Sequence, residues 1–384
     1  MPKTFANLPS SFFLLSLLLL LMGCTSSPPN IDAAAATAPV VTAAVASPAA
    51  PTPSTPARAW PTEPVKAQGY LLRPEVVAYA QRVASERDLP YDAVAALLAR
   101  AQRLPVAIRQ MTPAKPGEPV RPRDWARYRN IFVEPVRING GRAFMAEHAK
   151  ALAQAQARFG VPANIIAAII GVETLYGQNM GNHRVLDALV TLSFDYPDDT
   201  RADRIEMFQG QLADFIELHY QGKLDAHRAL GSFAGAMGIP QFMPTSLKTW
   251  AVASDPEARS IDLEYNVNDA IFSVANFLVA HGWVPGLPVF APVQLPPDPA
   301  ALVDGGLRAT LSWSQLQQAG ATLAPGASLG RWAEYRLGVI NLALPNLGTV
   351  QYRTATPNFF ALTEYNRSYF YASAVADLAQ ALAD

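Results

Sequence analysis

Residues 163–173 read Ala163-Asn-Ile-Ile-Ala-Ala-Ile-Ile-Gly-Val-Glu173. Pro162 just before them suits a helix start, and the residues that follow are apolar on nearly every side. A helix of that kind belongs at the centre of a large domain rather than on its surface. Its one carboxylate comes at the end. Glu173 follows Ile166, Ile169 and Ile170 by seven, four and three positions, so the four side chains share a face. Low dielectric raises a carboxyl pKa there. The negative end of the helix dipole acts in the same direction, because Gly177 closes the segment. A carboxylic acid that is protonated near neutral pH is what glycoside cleavage requires, since the departing sugar oxygen must receive a proton. Periodicity leaves a second reading open, a helix-end glutamate turned to solvent or paired with an arginine.

The segments on either side of this stretch are also mostly helical. Gly69 to Arg109 holds two helices: Pro74 opens one with Val76, Val77, Ala80 and Val83 on its apolar face, and Pro90 opens one with Val94, Leu97 and Leu98. Pro113, Pro116, Pro119 and Pro122 make 111–123 an irregular connection, and Asp124-Trp125 starts a short helix. Arg142 to Phe159 reads as one long Ala-rich helix stopped by Gly160. Arg201 to Tyr220 is amphipathic through Ile205, Phe208, Leu212, Phe215 and Ile216, and Asn268 to Ala280 is a further helix ending near Gly282. Glu147 and Glu206 have polar flanks and read as solvated. From about 284 to about 355 the chain turns Pro-rich and β-branched, with short strands expected in 287–293 and 337–343. Helix returns from Phe359 to Leu382. The expected class is mainly α with a small β lobe.

The chain of 384 residues is long enough for a large lobed domain or two domains. Lys plus Arg is 30 against 31 for Asp plus Glu, a net charge of -1, so no basic footprint for nucleic acid is present. Residues 1–23 carry Lys3 and the apolar run Ser11–Met22. At about a dozen residues the run is too short to span a bilayer but suits a signal-peptide core. It ends in Leu21-Met22-Gly23-Cys24, which resembles the bacterial lipobox. Cys24 is the single cysteine, which excludes an internal disulfide framework and marks this position for lipidation. Thr25 rather than Asp after it points to the outer membrane. The Ala, Pro, Ser, Thr and Val of the following segment have no periodicity, so 24–66 is expected to be a disordered tether behind the lipidated Cys.

Five motifs carry a resemblance. They are Gly171-Val-Glu-Thr-Leu-Tyr-Gly177, then Asn179 through Pro197, the glycine-rich Gly231-Ser-Phe-Ala-Gly-Ala-Met-Gly-Ile-Pro-Gln-Phe-Met-Pro-Thr-Ser246, Asn268 through Leu278 with His281-Gly-Trp283, and Pro357 through Tyr371. Together they resemble the membrane-bound lytic murein transglycosylase B family, the family 3 lytic transglycosylases of glycoside hydrolase family 103, over roughly 70–384. The resemblance implies a lysozyme-like core with a flanking helical lobe. It also implies a peptidoglycan lyase that cuts the MurNAc–GlcNAc β-1,4 bond without water and leaves 1,6-anhydromuramyl ends. The expected arrangement is a catalytic domain over 67–384, with the core at about 140–284 plus 356–384 and a β-containing insertion at about 285–355.

Residue by residue, Glu173 matches the family's sole catalytic acid, which then acts as base. Ser232 and Gln241 match polar residues that line the active site, and Tyr365, Asn366 and Tyr371 match cleft-lining residues of the C-terminal motif. Tyr176 is a weaker candidate for the cleft. Gly235 and Gly238 are expected to let backbone approach the glycan. A hydrolase would need a second carboxylate, for which Asp187, Asp195 and Asp198 are available, although Asp195 reads as a structural turn residue. Some family members carry an EF-hand-like calcium loop. The equivalent 255–264 lacks the turn glycine and places Arg259 where an oxygen ligand belongs, so no metal site is expected there. No cofactor is expected. The expected partners are peptidoglycan strands, the membrane through Cys24, and other cell-wall enzymes. The competing functions are a muramidase-type hydrolase and a catalytically silent peptidoglycan-binding lipoprotein.

Overall fold

The computed structural model describes residues 58–61, 63–114, 117, 122–258 and 260–384. The expected signal peptide, Cys24 and the tether up to residue 57 lie outside the described residues. The first helices, α1 (Pro74–Glu86), α2 (Tyr91–Leu98) and α3 (Pro105–Met111), are short; α1 and α3 each start with proline, whose missing N–H costs nothing at that position. α4 (Trp125–Phe132) is capped by Asp124, which accepts from the Arg127 amide at 2.8 Å. α5 (Pro135–Glu147), α6 (Ala149–Phe159) and α7 (Ala163–Thr174) follow, and Gly160 ends α6 at φ 68°.

The expected single helix over 142–159 is therefore two. His148, at φ −105° and ψ 23°, separates α5 from α6, and its ring packs on Phe144 at 4.7 Å. The two pieces have different partners, α5 on α7 and α6 on α11 (Val267–Ala280). Ala-rich sequence is helical on either side of such a break and cannot reveal it.

α7 is the axis of the largest core. Ile166, Ile169 and Ile170 are fully buried among residues of α4, α11 and the last two helices, α13 (Pro357–Tyr365) and α14 (Tyr369–Ala383). Each such side chain contributes roughly 2 kcal/mol of burial. The chain then leaves this core. After a two-residue strand β1 (His183–Arg184), helices α8 (Val185–Phe194) and α9 (Ala202–Tyr220) share a second core with α1, α2 and α3. It returns through β2 (Leu230–Gly231), which pairs antiparallel with β1 in the register His183 to Gly231. α10 (Pro244–Trp250) leads back to α11.

A third, smaller core gathers Leu287, Trp313, Leu316, Trp332, Leu337 and Val339. It holds β3 (Val293–Gln294), paired with β4 (Thr322–Leu323), and α12 (Trp313–Gln318) with a Ser312–Gln315 capping box. The hairpin of β5 (Gly338–Leu344) and β6 (Thr349–Ala355) then links it to the central core through Ile340, Leu342 and Ala355. The architecture is mainly helical with small two-stranded sheets. The expected final helix is likewise two. Asn366 is extended (φ −149°, ψ 120°) between α13 and α14, and Ser368 caps α14.

Candidate active site

The site is built around the end of α7. Leu175 and Tyr176 both adopt left-handed backbone, at φ 50° and 60°, which is costly for side chains of this size. Packing holds them there. The Tyr176 hydroxyl donates to the Arg137 carbonyl at 2.8 Å, and its ring lies against Gly141 and Gly171. A Cβ on Gly171 would sit 2.5 Å from that hydroxyl, so the motif's first glycine makes room for its tyrosine. Tyr176 thus packs between α5 and α7. Arg137, buried and held below its usual pKa by that burial, donates from Nε at 2.8 Å to the Gly171 carbonyl, which also accepts from the Leu175 amide at 3.2 Å, so the side chain ties α5 to the last turn of α7.

Glu173 is left at the mouth of this turn. Burial pushes its carboxyl up to about 7, and a hydrogen bond from Tyr371 acts in the opposite direction. The Tyr371 hydroxyl donates to Glu173 Oε1 at 2.5 Å. The Tyr371 ring stacks on Tyr365 at 6.4 Å and 13°, and the Tyr365 hydroxyl donates to the Pro240 carbonyl at 2.6 Å. Burial raises the phenols of Tyr128, Tyr365 and Tyr371, and the nearby Glu173 charge raises them further. Three tyrosines therefore feel the charge of one carboxyl, and Tyr371 is hydrogen-bonded to it. Nothing in the sequence singles out Tyr128, because Trp125, Tyr128 and Phe132 fall at helical spacing and such a pattern is the ordinary signature of a core face. Its buried hydroxyl has no hydrogen-bond partner among the described residues.

The glycine-rich segment 231–243 folds back on itself beside this cup. Ser232 Oγ accepts from the amides of Ala236 (3.0 Å) and Ala234 (3.4 Å), and the Ser232 amide donates to the Ala236 carbonyl at 2.9 Å. Gln241 stands at φ 52°, and its Nε2 donates to the carbonyls of Gly238 (2.9 Å) and Met180 (3.1 Å), which leaves Oε1 as the atom able to accept from a ligand. Thr174 Oγ1 donates to the Ile239 carbonyl at 2.9 Å and ties the segment to α7. The glycines of this segment are also required by the protein's own packing. A Cβ on Gly235 would meet the Leu189 side chain at 2.6 Å, and one on Gly238 the Leu263 carbonyl at 2.5 Å, so both make room for the protein's own packing.

Glu173, Tyr371 and Tyr365 thus form one connected chain that reaches the loop of Gln241. Ser232 organises that loop. Asn366 is buried at the α13–α14 break, next in sequence to Tyr365. The other candidate carboxylates are used elsewhere. Asp187 accepts from the Gln102 amide and Arg184, and Asp198 from Thr200. Asp195 accepts from Tyr70 at 2.5 Å and Arg73 at 2.8 Å, which pins α1 to the end of α8. In 255–264, Asp262 accepts from the amides of Glu264 and Tyr265, and Asp255 from that of Glu257; Arg259 lies outside the described residues.

Residues 72–380 match the model of the transglycosylase SLT domain. The chain is 38% identical over 318 residues to membrane-bound lytic murein transglycosylase B of Escherichia coli K12, covering 81% of this chain and 83% of that protein. The fold superposes on the catenated lytic transglycosylase SltB1 of Pseudomonas aeruginosa with a TM-score of 0.71 and 34% identity, over 81% of this chain and 97% of that one. It also superposes on SltB3 of P. aeruginosa in complex with NAG-NAM-pentapeptide, with a TM-score of 0.67 and 28% identity, over 80% of this chain and 78% of that one.

Proposed function

The chain belongs to the transglycosylase SLT domain family and is a lytic transglycosylase, and we propose that Glu173 alone serves it as acid and then as base. Protonated Glu173 gives its proton to the glycosidic oxygen between MurNAc and GlcNAc as the C1–O bond breaks. The resulting carboxylate takes the proton from the muramyl C6 hydroxyl while that oxygen bonds to C1. The product is a 1,6-anhydromuramyl end, and the glutamic acid is regenerated without consuming water. A carboxyl near pH 7 is suited to both transfers.

The observation that carries this reading is the isolation of Glu173. Its shift comes from burial and from Tyr371, with no contribution from another carboxylate among the described residues, while Asp187, Asp195 and Asp198 are held in other contacts. A two-carboxylate hydrolase needs its second group across the same bond. Tyr371 orients the carboxyl by its hydrogen bond. Tyr365 and Tyr371 offer ring faces, and Ser232, Gln241 and Asn366 offer polar atoms, to the sugars and their N-acetyl groups. The substrate assignment is supported by the NAG-NAM-pentapeptide bound to SltB3.

The catalytic unit is assigned to 67–384. Residues 1–23 are assigned as a lipoprotein signal peptide and Cys24 as the lipidated N-terminus of the expected 24–66 tether, of which the last part, 58–61 and 63–66, packs against the domain instead. This arrangement places the enzyme on the periplasmic face of the outer membrane. It is consistent with a relative described as membrane-bound. Incubation of purified sacculi with wild type and with Glu173→Gln tests the enzyme reading. Wild type is expected to release muropeptides, while the variant binds sacculi and releases none. Wild type that binds without release would instead favour the silent lipoprotein.

A further inference from the structure

The first described residues, 58–61 and 63–66, lie across the end of α9, and Arg58, Trp60, Val65 and Lys66 help line a cavity of 710 Å³ far along the chain from the catalytic motifs. The Arg58 amide donates to the Tyr220 carbonyl at 3.1 Å, the Trp60 ring packs on Tyr220 at 5.0 Å, and the Val65 amide donates to Asp92 at 3.1 Å. The cavity wall is cationic. Arg58, Lys66 and Arg100 line it together with His219 and His227, whose rings are 5.1 Å apart, and no carboxylate lines it. Asp225 neutralises Arg58 at 3.2 Å, while Lys66 and Arg100 form no ion pair among the described residues. The cluster repels its own protons: burial, then Arg58 and His227, push His219 down to about 4, with Asp225 opposing, and burial and Arg100 lower His227. Trp60 remains 43% exposed beside these charges. Cations around a cleft with an exposed tryptophan at its rim form a pattern suited to an anionic interface.

We propose that this cavity takes the phosphate of an anionic glycerophospholipid headgroup and seats the helical lobe on the membrane that carries the tether. The choice of a lipid headgroup rests on the proposed anchoring at Cys24. Thirty-four positions separate Cys24 from Arg58, about 120 Å at full extension, and Arg58, which continues the expected tether into the domain, itself lines this cavity. Lys66 and Arg100 would supply the charge and Trp60 the interfacial ring.

The test uses the chain from residue 24 onward with Cys24→Ser, so that no acyl chain contributes and failure of the lipidation reading cannot be confused with failure of this one. Binding is measured to phosphatidylcholine vesicles with and without phosphatidylglycerol, with sn-glycerol 3-phosphate as competitor and Trp60→Phe as the control that assigns the fluorescence change. The expected result is binding that requires phosphatidylglycerol and is competed by glycerol 3-phosphate. Arg100→Gln is expected to weaken it about fivefold, the share of one basic residue near an anionic surface. Arg127→Gln, in α4 and outside the cavity, is expected to leave it unchanged. Muropeptide release by Arg100→Gln should match wild type and show that the variant is folded. Binding indifferent to phosphatidylglycerol, equal losses in the two arginine variants, or competition by a muramyl peptide rather than by glycerol phosphate would each overturn the proposal.

Discussion

The Tyr371 hydroxyl donates to the Glu173 carboxyl at 2.5 Å from 198 positions further along the chain. That bond favours the ionised acid while burial favours the neutral one, and burial wins, leaving the carboxyl at about 7. The balance makes the group a usable acid and a usable base at one pH.

The first consequence is the pH profile. In the proposed mechanism bond cleavage begins from protonated Glu173, so turnover is expected to decline above pH 7 with a single deprotonation, tending to about tenfold per pH unit. Rates of muropeptide release between pH 5 and 9 check this. A flat profile across pH 7 would show that Glu173 does not supply the limiting proton.

Tyr371→Phe removes a donor to the carboxylate and should raise the pKa of Glu173 further, moving the alkaline limb upward. It also frees the carboxyl to rotate, at a cost of about 1 to 2 kcal/mol in the transition state, or roughly tenfold in kcat. A purely structural phenol would lower stability and leave the limb in place.

Stability carries the same signature with a defined sign. The folded chain holds the Glu173 proton to about pH 7, and an unperturbed glutamic acid releases it near 4.5. The preference for the folded state is therefore complete below about 4.5 and lost as pH rises to about 7, by at most about 3 kcal/mol. Denaturant titrations of Glu173→Gln should lack this decline and show a variant more stable than wild type above pH 7.

Gly171→Ala tests the turn that presents the acid. Alanine is better in a helix by about 1 kcal/mol, but its Cβ would lie 2.5 Å from the anchored Tyr176 hydroxyl. Overpacking costs about 1 to 3 kcal/mol, so a net loss of stability is expected in denaturant titration, with lower activity as Glu173 moves. Ser232→Ala should cost about 1 to 2 kcal/mol by leaving the Ala234 and Ala236 amides without their acceptor.

Much of this is legible in the sequence. The all-apolar run 163–172 forms the buried axis α7, and the carboxyl at its end is raised by burial as its face implied. The helical texture, the β-containing stretch after 284 and the family motifs also correspond to what the chain forms. What periodicity misses is choice of partner. α8 and α9 are apolar enough for any core, yet they join α1, α2 and α3, because that depends on contacts far apart in sequence. His148 and Asn366 interrupt segments whose composition favours helix throughout. Tyr128 and Tyr176 illustrate the same limit at the site. One looks like core and lies beside the acid, while the other follows the acid by three residues and packs away between α5 and α7.

In the proposed reaction one carboxyl, without water, both opens the bond and closes the ring. Digestion of sacculi by the wild-type enzyme in heavy-oxygen water, followed by mass spectrometry of the released muropeptides, tests it directly. The expected products carry anhydro ends, one water lighter than reducing ends and free of the heavy isotope. Reducing ends carrying one heavy oxygen would contradict it.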